Sequence, residues 1–164
     1  MPERQCDQLP FGGQDMNEKV TTDALLKRLF KANDLEEFLK ENEGEMQTAD
    51  FCSVLAELTE EHGLTPARVI ERSLIDRTYG YQLYSGKRKP SREKVLQLSI
   101  GLRLNMDETQ TLLRAAGHSA LYPRIRRDAV ILYGIRKKMD VLEIQEYLQS
   151  FGLTLLGNAP YGDE

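Results

Sequence analysis

Three consecutive cations, Lys87, Arg88 and Lys89, stand between Gly86 and Pro90, and Arg92 follows closely. Cations clustered in a short loop neutralise phosphates and release their counterions. Just upstream lie Arg77 and Gln82. A guanidinium can fork onto guanine O6 and N7, and a carboxamide can pair with adenine. The hydroxyls of Thr65 and Thr78 can bond phosphate oxygens. Each of these residues also has a plain role. Arg77 can pair with Asp76 or Glu71, Gln82 can be a solvated helix residue, Thr65 can be a helix cap, and the cation run can be a solvated face.

Nothing points to catalysis. His62 and His118 are the only histidines, and neither stands at metal-ligand spacing with Cys52 or an acidic pair. The run from Gly80 to Gly86-Lys87 is one residue too long for a phosphate loop. It has Arg88 where Ser or Thr is needed, and no strand precedes it. The expectation is a chain without enzymatic activity, metal or cofactor.

The cations must be held by the elements around them. Thr65 is a good N-cap, and Pro66 suits a first helical position. Val69, Ile70 and Leu74 follow at helical spacing. Asp76 can cap a second helix running to about Tyr84, which Gly86 can end in the left-handed conformation. Pro90 stops the chain and Ser91 caps the next helix. A helix–turn–helix followed directly by a basic loop is a common way to grip DNA.

Helical periodicity continues on both sides. Phe51, Val54, Leu55 and Leu58 mark a helix that Gly63 stops. Val95, Leu98, Ile100 and Leu102 mark one starting at Ser91. Leu112, Leu113 and Ala116 mark one that starts after Asp107 and ends near Gly117. Pro123 opens a helix through Ile131, Leu132 and Ile135. Asp140 and Glu143 form a capping-box-like start for the last, with Leu142, Tyr147, Leu148 and Phe151 on its apolar side. These final two predict an antiparallel hairpin. Near the N-terminus, residues 22–31 carry the stripe Leu25, Leu26, Leu29 and Phe30, and residues 34–41 carry Leu35, Phe38 and Leu39. No strand period and no internal repeat is visible.

The fold class is therefore all-α. The expected organisation is a disordered tail at 1–19, an N-terminal helical extension at 20–47, a helix–turn–helix domain at 48–117, a C-terminal helical hairpin at 118–155 and a tail at 156–164. The 164 residues carry a net charge of −4, but unevenly. Residues 1–50 have six basic and twelve acidic side chains, 118–139 have six and one, and 140–164 have none and five. Arg124, Arg126 and Arg127 stand at the start of the helix opened by Pro123, against the helix dipole. Their expected partner is an acidic surface, such as the chain's own termini, rather than phosphate. Cys6 and Cys52 read as reduced thiols. No apolar run approaches a membrane span, and the N-terminus lacks the apolar core of a signal peptide, so the expected location is cytoplasmic.

Residues 51–117 resemble the Cro-type helix–turn–helix domain of the xenobiotic-response-element family of bacteria. The resemblance rests on Leu64-Thr65 opening one helix, the spacing to the next, and the run Tyr84-Ser-Gly-Lys-Arg-Lys-Pro-Ser91. Leu104-Asn-Met-Asp-Glu-Thr109 is similar to the family's approach to its fifth helix. The resemblance implies a transcriptional regulator that binds double-stranded DNA sequence-specifically through a recognition helix at about 76–84. It places Arg77, Thr78, Tyr81 and Gln82 toward bases, and Gly80, Leu83 and Tyr84 inward. Thr65, Lys87, Arg88, Lys89 and Arg92 face phosphates. A homodimer is expected, because one such unit contacts few base pairs. Three residues depart from the family pattern: Pro66 where Gln is common, Ile70 where a small Ala is usual, and Leu74 where a turn Gly is usual. Ile70 is expected to push the two helices apart. The alternative function is a protein-interaction adaptor that keeps the scaffold and binds through Tyr79, Tyr81, Tyr84 and the terminal helices.

Overall fold

The computed structural model describes residues 20–46 and 49–157, and all regular structure among them is helical. The expected tail at 1–19, with Cys6, lies outside the described residues. The described residues fall into two compact units, one comprising residues 20–46 and the other residues 49–157.

The first unit holds α1 (Thr22–Lys31) and α2 (Leu35–Glu41). Thr21 accepts a bond from the Ala24 N–H, and Asp34 accepts one from the Glu36 N–H, so both helices are capped. Arg28 donates to Asn42 Oδ1 at 3.2 Å, and Asn42 Nδ2 donates to the Phe38 carbonyl at 2.8 Å. Phe38 is the one apolar side chain buried in these helices. The expected stripes exist, but Leu26, Leu29, Phe30, Leu35 and Leu39 remain exposed, Phe30 by 78%.

The second unit holds α3 (Phe51–Glu61), α4 (Pro66–Arg72), α5 (Arg77–Tyr84), α6 (Arg92–Gly101), α7 (Met106–Ala115), α8 (Arg126–Arg136) and α9 (Val141–Ser150). One turn design recurs four times. A residue at positive φ is followed by an apolar residue and then by a side-chain cap. The four are Gly63-Leu64-Thr65, Leu74-Ile75-Asp76, Arg103-Leu104-Asn105 and Lys138-Met139-Asp140. In each, the apolar residue's N–H bonds the carbonyl five residues back, closing a Schellman motif: Leu64 to Thr59, Ile75 to Ile70, Leu104 to Ser99, Met139 to Gly134. The reversal thus plugs an apolar side chain inward while satisfying both helix ends.

Several boundaries differ from the sequence reading. Helix α7 begins at Met106, because Asn105 and Glu108 form a reciprocal capping box. Helix α8 begins at Arg126 rather than Pro123, so Arg124 precedes the helix. Helix α6 is buried along its whole length from Val95 to Gly101, not on one stripe, since it is the central element against which α4, α7 and α9 pack. In α9 the core side is Val141, Ile144 and Leu148, while Leu142, Tyr147 and Phe151 are exposed. Leu156 belongs to no tail: it is buried, and its backbone N–H and carbonyl are both held by the Gln145 amide.

The structure also reveals a repeat that the sequence reading missed. Residues 92–122 and 127–157 match at an offset of 35 residues, with eight identical positions: Arg92/Arg127, Val95/Val130, Ile100/Ile135, Glu108/Glu143, Gln110/Gln145, Leu113/Leu148, Gly117/Gly152 and Leu121/Leu156. Gln110 clamps the Leu121 backbone as Gln145 clamps Leu156. Arg92 reaches Asp128 in the second hairpin, and the carbonyls of Ser119 and Ala120. Arg127 reaches Glu93 in the first, and the carbonyls of Thr154 and Leu155. Asp128 also accepts from the Tyr122 N–H, and Glu93 from the Gly157 N–H. Each contact thus has its reciprocal 35 residues away, as in an isologous interface between two copies. Helix packing follows suit: α6 meets α9, and α7 meets α8. Residues 118–157 are therefore integral to the second unit rather than a hairpin appended at residue 117.

The expected splaying by Ile70 does not occur. Gly80 on α5 faces it, and a Cβ at Gly80 would lie 2.6 Å from Ile70 Cγ1. The missing side chain on α5 makes room for the extra bulk on α4. The turn between them is reached with Leu74 at φ 55°, a conformation glycine adopts without strain.

Candidate nucleic-acid interface

Asp76 caps α5 by accepting from the Tyr79 N–H at 3.0 Å. Gly80 and Leu83 are buried, which turns the opposite face outward. Arg77, Thr78 and Tyr81 are exposed and Gln82 is half-buried. The Arg77 guanidinium lies 5.9 Å from the centre of the Tyr81 ring, so the two exposed side chains brace each other. Tyr84 turns inward, and its hydroxyl meets Thr59 Oγ1 at 2.8 Å. Burial pushes its phenol above the ordinary range.

The basic loop leaves α5 through Gly86 at φ 78°. Gly86 lies against α3: a Cβ there would sit 3.1 Å from Cys52 Sγ. The loop's far end is fixed at buried Pro90, whose carbonyl accepts from His118 Nε2 at 2.7 Å. Lys87, Arg88 and Lys89 are exposed, and none forms an ion pair among the described residues. Arg88 lies 5.5 Å from the Tyr79 ring centre and Lys94 lies 6.0 Å from it, so Tyr79 is a platform under two cations.

Two expected phosphate contacts have other work. Thr65 caps α4, accepting from the Arg68 N–H at 3.3 Å. Arg92 is withdrawn from the loop's charge altogether. Its donors reach the Ser119 carbonyl at 3.1 Å, the Ala120 carbonyl at 3.2 Å and the Asp128 carboxylate at 3.0 Å. Arg92 is thus a structural bracket, and its guanidinium is engaged within the fold rather than offered to phosphate as expected. Arg127 does meet an acidic partner, but this is Glu93 on α6 rather than the chain's acidic end. Arg124 and Arg126 form no ion pair among the described residues.

The remaining sites are modest. Cys52 Sγ donates to the Leu83 carbonyl at 3.5 Å, and burial together with the Asp50 charge pushes its thiol up, so it stays protonated. His62 Nε2 meets Glu108 at 3.2 Å, a contact of two residues, and no metal-sized cluster occurs among the described residues. No described helix is long and apolar enough to cross a membrane. The sequence reading missed an apolar groove between α8 and α9, lined by Arg126, Ala129, Val130, Tyr133, Tyr147 and Phe151. The 35-residue repeat was the signal that could have found it. No protein-family model matches the chain, and neither the curated proteins nor the solved structures include a similar one.

Proposed function

We propose that this chain is a sequence-specific double-stranded DNA-binding regulator of the Cro type, working as a homodimer. Helix α5 enters the major groove, Arg77, Thr78, Tyr81 and Gln82 meet base edges, and Lys87, Arg88 and Lys89 hold the backbone. The observation that carries this reading is one short helix with a polar outer face, running directly into three exposed cations that have no ion partner among the described residues. The Ile70–Gly80 fit supports it, because it keeps α4 and α5 packed despite the departure from the family pattern.

The test is a selected duplex titrated from low to physiological salt. Affinity should fall with a slope of roughly −0.9 per phosphate contact. Lys87→Ala or Lys89→Ala should flatten that slope by about one unit on every sequence, while Arg77→Ala should cost about 1–3 kcal/mol on the preferred site alone. A chain that binds no duplex at low salt defeats the proposal. The adaptor reading is then favoured by the exposed apolar side chains of α1, α2, α8 and α9.

A further inference from the structure

The open groove between α8 and α9 has a volume of about 360 Å³, and five of its six lining residues are apolar or aromatic. Tyr133, Tyr147 and Phe151 are 40–49% exposed along it. The repeat says what such a groove is for. Its lining residues Ala129, Val130, Tyr133, Tyr147 and Phe151 correspond, at the 35-residue offset, to Lys94, Val95, Leu98, Leu112 and Ala116 of the first hairpin. There, Val95, Leu98 and Leu112 are wholly buried in a core that α3 and α4 close, α3 lying on α7 and α4 on α6. In the second hairpin the same positions have no cover among the described residues of their unit.

The covering helix also has a definite chemistry. Helix α3 buries Phe51, Val54, Leu55 and Leu58 on one face. Residues 49–63 carry Asp50, Glu57, Glu60 and Glu61 and no Lys or Arg. The α8 side of the second hairpin's rim has the opposite sign, while α9 carries the exposed Glu143 and Glu146. The Arg126 guanidinium lies 5.9 Å from the Phe151 ring centre, and Lys137 lies 5.8 Å from the Tyr133 ring centre. Arg124 is exposed just before α8. We infer that the α8–α9 groove is a docking seat for an acidic amphipathic helix of a partner protein, received as the first hairpin receives α3. This holds whether or not α5 reads DNA.

The test uses the full chain and, as probe, a fluorescent peptide of its residues 49–63 carrying Cys52→Ser. Fluorescence anisotropy should show saturable binding that weakens at least tenfold with Tyr133→Ala/Phe151→Ala, and also with Arg126→Glu. These side chains are surface groups, so thermal melts should confirm that the variants stay folded. On the unaltered chain, a photo-crosslinker at the peptide's Leu55 position should label α8 or α9. Absence of binding at millimolar peptide overturns the inference. So does binding that the groove substitutions leave unchanged, or labelling confined to α7, either of which would mean exchange with the chain's own α3. A concentration-dependent dimer abolished by Tyr133→Ala/Phe151→Ala would assign the groove to a second copy and overturn it too.

Discussion

Replacing Gly80 with alanine should destabilise the protein, although alanine is normally the better helix residue. In an open helix, Gly→Ala gains about 1 kcal/mol. Here the new Cβ would fall 2.6 Å from Ile70 Cγ1 and 2.8 Å from its Cδ1 and Cγ2. Ile70 is 3% exposed and branched at Cβ, so it has little freedom to yield. Overpacking of this kind costs about 1–3 kcal/mol; at the middle of that range, about 2 kcal/mol, the helix gain leaves a net loss of about 1 kcal/mol. Ile70→Ala alone should cost about 2–5 kcal/mol as a cavity mutation. In that background the obstruction is gone, and Gly80→Ala should turn stabilising by about 1 kcal/mol. The coupling between the two sites is then about 2 kcal/mol, well above the scatter of additive pairs. Urea unfolding of the four proteins measures it, with an unchanged m-value as the check on two-state behaviour. If Gly80→Ala stabilises the parent chain, or if the two changes simply add, the claim that these residues fit each other is wrong.

Arg92→Ala should cost about 3 kcal/mol of stability, because it leaves the Asp128 carboxylate, only 4% exposed, with the Tyr122 N–H as its remaining described partner. Arg127→Ala should cost a comparable amount through Glu93, and neither change should alter the salt slope of DNA binding as Lys87→Ala does. Leu74→Gly should stabilise by about 0.5 kcal/mol, since relieving positive φ outweighs glycine's added chain entropy; equal or lower stability in the same denaturation assay counts against strain there. The weakened acidities of Tyr84 and Cys52 predict alkaline sensitivity. Both groups stay neutral in the folded chain after their unfolded forms have ionised, so stability is full below the ordinary thiol range, about pH 8.5, and declines as pH rises through it and through the tyrosine range near 10. Tyr84→Phe should remove the tyrosine share of that decline, read from melting temperatures between pH 8 and 11.

The helices themselves were legible because each rests on local chemistry. Thr65, Asp76, Ser91 and Asp140 accept the capping bonds their positions implied, and Gly63, Gly86 and Gly117 have positive φ. What escaped was non-local. Nothing near Ile70 announces that the side chain facing it, ten residues on, is a hydrogen atom. Arg92 beside three cations reads as part of their charge until Asp128, 36 residues away, is placed against it. The face of α9 was misjudged for a related reason. Its sequence carries two apolar stripes, and periodicity cannot say which one meets the core; Val141, Ile144 and Leu148 do because α6 lies on that side. The repeat hid because its identities are scattered, falling on arginine, glutamate, glutamine and glycine as often as on apolar positions.

The crossed Arg92–Asp128 and Arg127–Glu93 pairs carry a consequence for how the chain can be cut or shortened. A hairpin that supplies an arginine to its twin and takes a carboxylate's partner in return is chemically incomplete alone. It is whole only as a tandem or as two separate copies side by side. A fragment ending at Gly117 would therefore keep Arg92 and Glu93 as stranded opposite charges at the head of its central helix, with Leu121 and Leu156 gone from its core. Conversely, residues 92–157 hold both halves of every exchanged bond. They form the smallest piece in which this symmetry closes on itself.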